Sequence, residues 1–177
     1  MQAYPTERLL LRPLQLADAP GMFELDSDPA VRRYLRGIGG PQAASLADSA
    51  ATIRFIQGQY AASGIGRWAV ARRTTGEFMG WAGLKLVPGP VNGQCNFYDL
   101  GYRFLPRYWG QGYGYEAAQA WLHYGFDTLK LPRLCAYADV ENVGSRRILA
   151  KIGLQLGNTF VEGDTTCAWY EADNPSR

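Results

Sequence analysis

Apolar residues along the chain alternate in some segments with the two-residue period of a β-strand. The run Glu7–Leu14, ERLLLRPL, predicts a strand that Pro13 stops. The segment from Arg67 to Val87 predicts a β-hairpin that turns at Thr75 and Gly76. Further strands are predicted over Gln94–Leu105, Leu131–Val140, Leu154–Val161 and Thr165–Ala172.

Other segments have the longer apolar period of a helix. Short helices are predicted over Ala17–Asp28 and from Pro29 onward, where proline suits the first helical position. Longer or capped helices are predicted over Ser45–Ser63, from the glycine-rich segment near residue 112 to about Leu129, and over Asn142–Leu154. The order of these elements predicts a single α/β domain, residues 1–177, built on a mixed sheet.

Composition excludes several classes of protein. The chain has 177 residues, of which 47% are hydrophobic and 19% charged, with a net charge of +2, so neither disorder nor nucleic-acid binding is expected. Cys95, Cys135 and Cys167 are far apart, and His123 is the only histidine, so a disulfide framework and a metal site are not expected. Free thiols and the lack of a signal or spanning segment favour a cytoplasmic protein without a membrane partner.

The segment Arg107–Trp121, RYWGQGYGYEAAQAW, places three glycines directly before a predicted helix. Each glycine costs about 1 kcal/mol relative to alanine inside a helix, so a bare backbone must serve a purpose there. The first amides of a helix are unpaired and attract phosphate, and missing side chains let a pyrophosphate come close. A tight turn that requires positive φ is the alternative explanation.

Two common nucleotide-binding loops do not fit this segment. A Walker A loop requires Gly-Lys-Ser/Thr, which is absent from GQGYGYEAA. A Rossmann loop belongs to the first strand–helix unit and precedes an acidic residue by about 20 positions, whereas this segment comes late in the chain.

The segment resembles the acyl-CoA loop of the GNAT superfamily of N-acetyltransferases, with Trp109 at the position of the usual Arg or Gln. PRYWGQGYGYEA, residues 106–117, is similar to the form found in the ribosomal-protein N-terminal acetyltransferases of the RimJ/RimL type. TERLLLRPL, GRWAVARRTTGEFMGWAGL and ENVGSRRILAKIGL are similar to further motifs of that branch, with Leu154 in place of a phenylalanine. The resemblance runs from about Thr6 to Glu171.

This resemblance implies the GNAT fold: a mixed, mostly antiparallel sheet of six or seven strands, helices on both faces, and two parallel strands that splay apart. It also implies acetyl-CoA as cosubstrate and direct attack by an amine without a covalent enzyme intermediate. The backbone near Phe104 and Leu105 would bind the pantetheine arm. The pyrophosphate would be held by the backbone of Gln111, Gly112, Tyr113, Gly114 and Tyr115.

The resemblance also suggests catalytic residues. Asp99 takes the position of a common glutamate and would accept the proton of the acceptor ammonium, with a relaying water because aspartate is shorter. The alternative is a carboxylate that only caps or forms an ion pair at a strand end. Ser145 would protonate or hydrogen-bond the leaving thiolate, and Asn142 would bind the pantetheine arm. Helix capping is the alternative role for both residues. Tyr102 and Tyr137 are reserve acids, and Glu116 is a weaker candidate base that suits a helix N-terminus structurally.

Several alternatives remain open at this stage. The chain could be an acyl-CoA or anion sensor without turnover, or an interaction domain in which the glycine loop is an architectural turn. The acceptor could be a protein N-terminus or a small amine, and monomer and homodimer fit equally well. The first two helices and the loops Arg36–Gln42 and Val87–Gln94 should line the acceptor side. The aromatic residues that could line an acceptor cavity are Tyr34, Trp81, Phe97 and Trp169, for which core packing is the simpler explanation.

Overall fold

Strands form one mixed sheet in the structure, a computed structural model that describes residues 2–38 and 42–176. Within those residues the sheet has eight strands in the order β1-β2-β3-β4-β5-β6-β8-β7. The first strand contributes only two residues. The strands are β1 (Tyr4–Pro5), β2 (Leu9–Pro13), β3 (Arg67–Arg72), β4 (Phe78–Val87), β5 (Phe97–Phe104), β6 (Arg133–Asp139), β7 (Gln155–Glu162) and β8 (Thr165–Asp173).

Helices connect the strands, and three of them begin at a residue whose side chain caps the first turn. The α-helices are α1 (Ala19–Ser27), α2 (Pro29–Arg32), α3 (Leu46–Ser63), α4 (Tyr113–His123) and α5 (Val143–Lys151). The side chains of Asp28, Ser45 and Asn142 accept backbone hydrogen bonds at the starts of α2, α3 and α5. The cap predicted for Asn142 is confirmed by its bond from the Ser145 amide, 3.0 Å long.

The sheet is antiparallel except between β5 and β6. These two strands run parallel and are in register only at Asp99 and Cys135, whereas β4 and β5 stay paired from Gly80–Phe104 to Val87–Phe97. Beyond Asp99 the backbone of β5 therefore diverges from β6. The predicted pair of splayed parallel strands is confirmed, and the gap between them positions the site.

Helices cover both faces of the sheet, as predicted. On one face Met22 of α1 and Ile53 and Ile56 of α3 pack against Ala69 of β3. The other face carries the larger core, in which α4 packs over the central strands; its members include Val70, Leu84, Leu100, Ala117 and Trp121. Neighbouring residues of β3 thus point to opposite faces of the sheet. Helix α4 lies beside the splay, the point beyond Asp99 where β5 and β6 separate.

Several boundaries differ from the predicted ones for physical reasons. The predicted helix at Ala17 starts as a 3-10 turn, Leu16–Asp18, because the Asp18 carboxylate accepts a bond from the Gln15 amide. The helix expected to reach Leu129 ends as α-helix at His123 and continues as a π turn, Tyr124–Thr128. Residues 39–41 of the predicted loop Arg36–Gln42 lie outside the described residues. No helix in the described part of the chain is long and apolar enough to cross a membrane.

Candidate acetyl-CoA and acceptor site

A cavity of about 480 Å³ opens where β5 leaves β6, between α2, α4 and α5. We call it the wedge cavity. Its lining combines the end of β5, the glycine loop, the start of α4 and the start of α5. The lining residues are Val31, Tyr34, Leu35, Tyr102, Arg103, Phe104, Tyr108, Trp109, Gly110, Gly112, Tyr113, Gly114, Tyr115, Asn142, Gly144, Ser145 and Ile148.

The glycine loop, Gly110–Gly114, exposes backbone without side chains to the wedge cavity, and its glycines are required for two separate reasons. Gly110 and Gly112 have φ angles of 71° and 83°, the left-handed region that other residues adopt at a cost. Gly114 lies in the first turn of α4, where a Cβ atom would stand 3.0 Å from Cδ1 of Ile148. Gly110 and Gly112 are therefore explained by turn geometry, and Gly114 by lack of space for a side chain. No side chain caps α4 at Gly112. The amides at the start of α4 carry the positive end of the helix dipole into the cavity.

Arg8 braces the glycine loop from outside. Its guanidinium donates to the Gln111 carbonyl at 2.9 Å, pairs with Glu116 at 2.7 Å and lies 4.4 Å from the centre of the Tyr113 ring. Thr6 adds a 2.6 Å hydrogen bond to Glu116. Glu116 thus ties the turn before β2 to the first turn of α4, a structural use of the weaker candidate base.

Tyr102 and Ser145 meet inside the wedge cavity. The phenol oxygen lies 3.0 Å from Ser145 Oγ and donates to the Ser145 carbonyl oxygen at 3.1 Å. Burial raises the pKa of Tyr102 despite the opposing hydrogen bond with Ser145, so its hydroxyl is neutral at neutral pH. The structure therefore places two of the predicted proton donors, Tyr102 of β5 and Ser145 of α5, in contact with each other.

Asp99 lies on the opposite face of β5 from Tyr102 and does not line the wedge cavity. Its buried carboxylate pairs with Arg67 of β3, whose guanidinium also donates to the carbonyl oxygens of Asp99 and Gly83. Gly101 makes room for this contact, because a Cβ there would lie 2.5 Å from Nη2 of Arg67. Lys85 of β4 is cross-strand from Asp99, with Nζ 3.9 Å from its carboxylate. This cluster sits at the last paired position before the splay.

The remaining sequence candidates divide into two groups. Phe104, Gly112, Tyr113, Gly114, Tyr115 and Asn142 line the wedge cavity, whereas Leu105 and Gln111 do not. The Leu105 amide donates to the Met79 carbonyl oxygen at 3.0 Å, and the Phe104 carbonyl oxygen accepts from the Trp109 indole at 2.7 Å. Both backbone groups are thus engaged within the protein.

The chain after α2 packs on the turn between β7 and β8. Thr165 at the start of β8 donates from its hydroxyl to the Arg36 carbonyl oxygen. A Cβ built on Gly37 would meet the Glu162 carbonyl oxygen at 3.1 Å, which shows how closely that segment packs on the β7–β8 turn. Tyr34 lies in the wedge cavity, whereas Phe97 and Trp169 pack against Cys135 in a separate cluster.

Sequence reasoning missed the cationic partners on this face. Trp81 lies between two guanidiniums, with Arg67 5.2 Å and Arg103 5.0 Å from its ring centre, and Arg103 pairs with Asp26. A charged residue inside a predicted inner strand was the available signal, because a buried charge requires a partner. The partner itself could not be read from spacing, since Arg67 and Asp99 are 32 residues apart.

Comparisons with known proteins agree with this geometry. The acetyltransferase (GNAT) domain family matches residues 8–155. The chain is 32% identical over 160 residues to the FsC-acetyl coenzyme A-N(2)-transacetylase of Aspergillus fumigatus, covering 88% of this chain and 66% of that protein. It is similar to a GNAT-family acetyltransferase structure from Bacillus anthracis, with a TM-score of 0.79, 26% identity and coverage of 98% and 99%. RimL, a ribosomal L7/L12 alpha-N-protein acetyltransferase in complex with coenzyme A, shares the fold, with a TM-score of 0.81, 14% identity and coverage of 99% and 100%.

The chain belongs to the GNAT acetyltransferase family. It is an acetyl-CoA-dependent N-acetyltransferase, since transfer of an acetyl group from acetyl-CoA to an amine is the general reaction of this family and its relatives carry that activity in their names. The predicted fold and the predicted enzyme class are both confirmed.

Proposed function

We propose that the wedge cavity is the acetyl-CoA site and that a primary amine reaches the thioester from the Asp99 face of the sheet. One observation carries the proposal: β5 and β6 are paired at Asp99–Cys135 and diverge beside the N-terminus of α4, which has no side-chain cap. A gap between two strands lets groups on opposite faces of a sheet meet. The cofactor and the acceptor can therefore approach the same point from two sides.

The residues present fit acetyl-CoA. The amides from Gln111 to Tyr115 would hold the pyrophosphate, because helix N-termini bind phosphate and the loop glycines remove the side chains that would block it. Arg8 keeps the loop in place through the Gln111 carbonyl oxygen and neutralises Glu116, which would otherwise repel phosphate. Apolar residues at the other end, Val31, Leu35 and Phe104, would surround the pantetheine arm.

The chain's own residues would then carry the proton steps. Acetyl-CoA supplies an activated carbonyl, and the protein's main contribution is to orient the amine toward it. Asp99 would accept the ammonium proton through a water molecule, because its carboxylate lies on the face that the acceptor approaches. The hydroxyl pair of Tyr102 and Ser145 would donate a hydrogen bond to the departing sulfur on the cavity side. Asn142 caps α5 with Oδ1 and would use its amide nitrogen toward the pantetheine arm.

The acceptor class is a protein N-terminal amine or a small primary amine. The RimJ/RimL-type motif in residues 106–117 supports an N-terminal α-amine. The name of the Aspergillus relative supports a small-molecule amine instead. A panel of N-terminal peptides and small amines, followed by mass spectrometry of the products, separates the two. Three free cysteines support the cytoplasm as the compartment.

Calorimetric titration with acetyl-CoA tests the site through a matched pair of variants. Gly114→Asp and Gly114→Asn have equal size and meet Ile148 alike, and the backbone at position 114 requires no positive φ. An aspartate in the first turn suits the helix dipole but repels a pyrophosphate. We expect Gly114→Asp to bind acetyl-CoA at least tenfold more weakly than Gly114→Asn.

Thermal unfolding supplies the second readout of the same proposal. Acetyl-CoA at about 100 times its dissociation constant should stabilise the wild type by about 2.7 kcal/mol, or about 5–10 °C. The absence of a shift at millimolar acetyl-CoA would refute the proposed site. Equal affinities of Gly114→Asp and Gly114→Asn for acetyl-CoA would show that the pyrophosphate does not bind at the start of α4.

A further inference from the structure

Lys85 places a primary amine beside Asp99, the carboxylate that the proposed function uses to take a proton from the acceptor amine. Its Nζ atom lies 3.9 Å from Asp99 Oδ2, and the two residues face each other across β4 and β5. Asp99 is also the last residue of β5 in register with β6. The internal amine therefore stands at the place where an external amine has to deliver its proton.

The surroundings of Lys85 lower the pKa of its amine, which increases the fraction that is neutral and nucleophilic. Burial lowers the pKa of Lys85 first of all, Asp99 opposes this effect, and the guanidiniums of Arg67 and Arg103 lower the pKa further. Arg67 already occupies the Asp99 carboxylate, and Arg103 is itself paired with Asp26. The side chain is still about one-third exposed, so its four-carbon stem can move toward the splay.

The other lysines of the sequence provide a contrast. Lys130 is exposed after the π turn, and Lys151 lies at the end of α5 with Nζ 4.3 Å from the centre of the Tyr115 ring. Neither faces Asp99, and Lys151 is on the cofactor side of the sheet. Position relative to the splay therefore separates Lys85 from both of them.

We propose that Lys85 is an internal acceptor, which the enzyme acetylates on Nζ when no external amine occupies the Asp99 face. This proposal rests on the proposed function, because the acetyl group comes from acetyl-CoA bound in the wedge cavity. The neutral amine attacks the thioester carbonyl carbon, a C–N bond forms and the C–S bond breaks. The nitrogen loses one proton and the sulfur gains one, which leaves Nε-acetyl-lysine and coenzyme A thiol.

Acetylation of Lys85 would limit further turnover. The acetamide carries no charge, so the ion pair with Asp99 is lost, and its added bulk occupies the acceptor's approach. External amines compete with Lys85 for the same carbonyl, so a good acceptor protects the enzyme. Self-acetylation is therefore a brake that acts when acetyl-CoA is abundant and acceptor is scarce.

Peptide mapping by mass spectrometry tests the proposal without any acceptor. The purified wild type is incubated with acetyl-CoA, and the acetylated fraction of each lysine is followed with time. We expect Lys85 to be acetylated about tenfold or more faster than Lys130 and Lys151, because only Lys85 is positioned by the site. The Gly114→Asp variant should show only the slow background rate at all three positions.

A second measurement follows the brake itself. Preincubation with acetyl-CoA should slow later turnover of an external amine by the wild type and by Lys130→Arg, but not by Lys85→Arg. Equal acetylation of all three lysines, or unchanged acetylation of Lys85 in Gly114→Asp, would overturn the proposal. External amines acetylated while Lys85 stays free would overturn it and leave the proposed function intact; no acetylation together with no acetyl-CoA binding would overturn both.

Discussion

Ser145 Oγ lies 3.0 Å from the phenol oxygen of Tyr102, and both side chains line the wedge cavity. The contact joins the N-terminal turn of α5 to the diverging end of β5, 43 residues earlier in the chain. Two hydroxyl groups that share a hydrogen bond can act on a leaving group as one unit. Their substitutions should therefore not have additive effects.

Tyr102→Phe removes the shared hydroxyl without changing the shape of the cavity. We expect kcat to fall about 10- to 100-fold, because a positioned acid is lost, while the affinity for acetyl-CoA changes less than about twofold. Ser145→Ala should lower kcat by a similar factor, and the double variant should fall only slightly further. Tyr98→Phe, on the same strand face but outside the cavity, is the control. An unchanged kcat in Tyr102→Phe would exclude the pair from catalysis.

The buried pair of Arg67 and Asp99 should be worth far more when broken than the exposed pair of Arg107 and Glu24. Arg67→Met leaves a carboxylate buried without its guanidinium, and we expect a loss of about 3–5 kcal/mol of unfolding free energy. Arg107→Met should cost less than about 1 kcal/mol, because both partners are about half exposed. Urea unfolding of the two variants measures the difference. Equal losses would show that the Arg67 pair contributes no more than a surface contact.

A side chain at Gly101 should destabilise the fold, since the Arg67 guanidinium lies in the space that a Cβ would occupy. A Cβ at that position would stand 2.5 Å from Nη2 of Arg67, so Gly101→Ala must displace the guanidinium from Asp99. We expect it to cost about 1–3 kcal/mol of stability. Gly58 in the middle of α3 has open space around a Cβ, so Gly58→Ala should instead stabilise by about 0.5–1 kcal/mol. Thermal unfolding of both variants tests this contrast, and a change of the same sign in both would contradict it.

Periodicity alone predicted most strands and the longer helices because each burial pattern belongs to a local segment. β3 shows this directly, since Ala69 joins the core under α3 and Val70 the core under α4. The splay could be predicted only through the family resemblance, because two parallel strands about 35 residues apart leave no local trace of where their pairing ends. The glycine loop was interpretable because three helix-averse residues before a helix conflict with propensity.

The pairs of the candidate site could not be predicted from the sequence. Arg67 meets Asp99, and Tyr102 meets Ser145, only after three or more elements have assembled. Lys85 is an ordinary alternating residue of β4 in the sequence, and its position beside Asp99 depends on the register of β4 against β5. A register shifted by one residue would place it on the opposite face.

The three cysteines should differ in reactivity within the folded protein. Burial raises the pKa of Cys135 to about 12 and that of Cys167 to about 11, so few thiolates form at pH 8. Cys95 is exposed before β5. We expect one thiol to react rapidly with a disulfide reagent at pH 8 and all three to react in urea. Rapid reaction of two or three thiols without denaturant would contradict the described burial.

Glu116 should make the stability of the fold depend on pH at its acidic end. Burial raises the pKa of Glu116, but hydrogen bonds from Thr6 and Arg8 outweigh burial and leave it below its ordinary value of 4.5. A carboxylate whose pKa is lower in the folded state stabilises the fold above the unfolded pKa, and this contribution is lost as pH falls through the folded pKa. Glu116→Gln should therefore be about 1–2 kcal/mol less stable than the wild type at pH 7, with a difference that narrows below pH 4.5.

Chemical unfolding at pH 7 and at successively lower pH measures that narrowing. Glu7→Gln is the matched control, since this exposed glutamate precedes β2 beside Thr6 and Arg8, the partners of Glu116. It should change stability by less than about 0.5 kcal/mol at every pH. A Glu116→Gln deficit that stays constant down to pH 3 would mean that the charge of Glu116 contributes nothing. The Arg8 contacts with the glycine loop would then rest on its bond to the Gln111 carbonyl oxygen and its position over the Tyr113 ring.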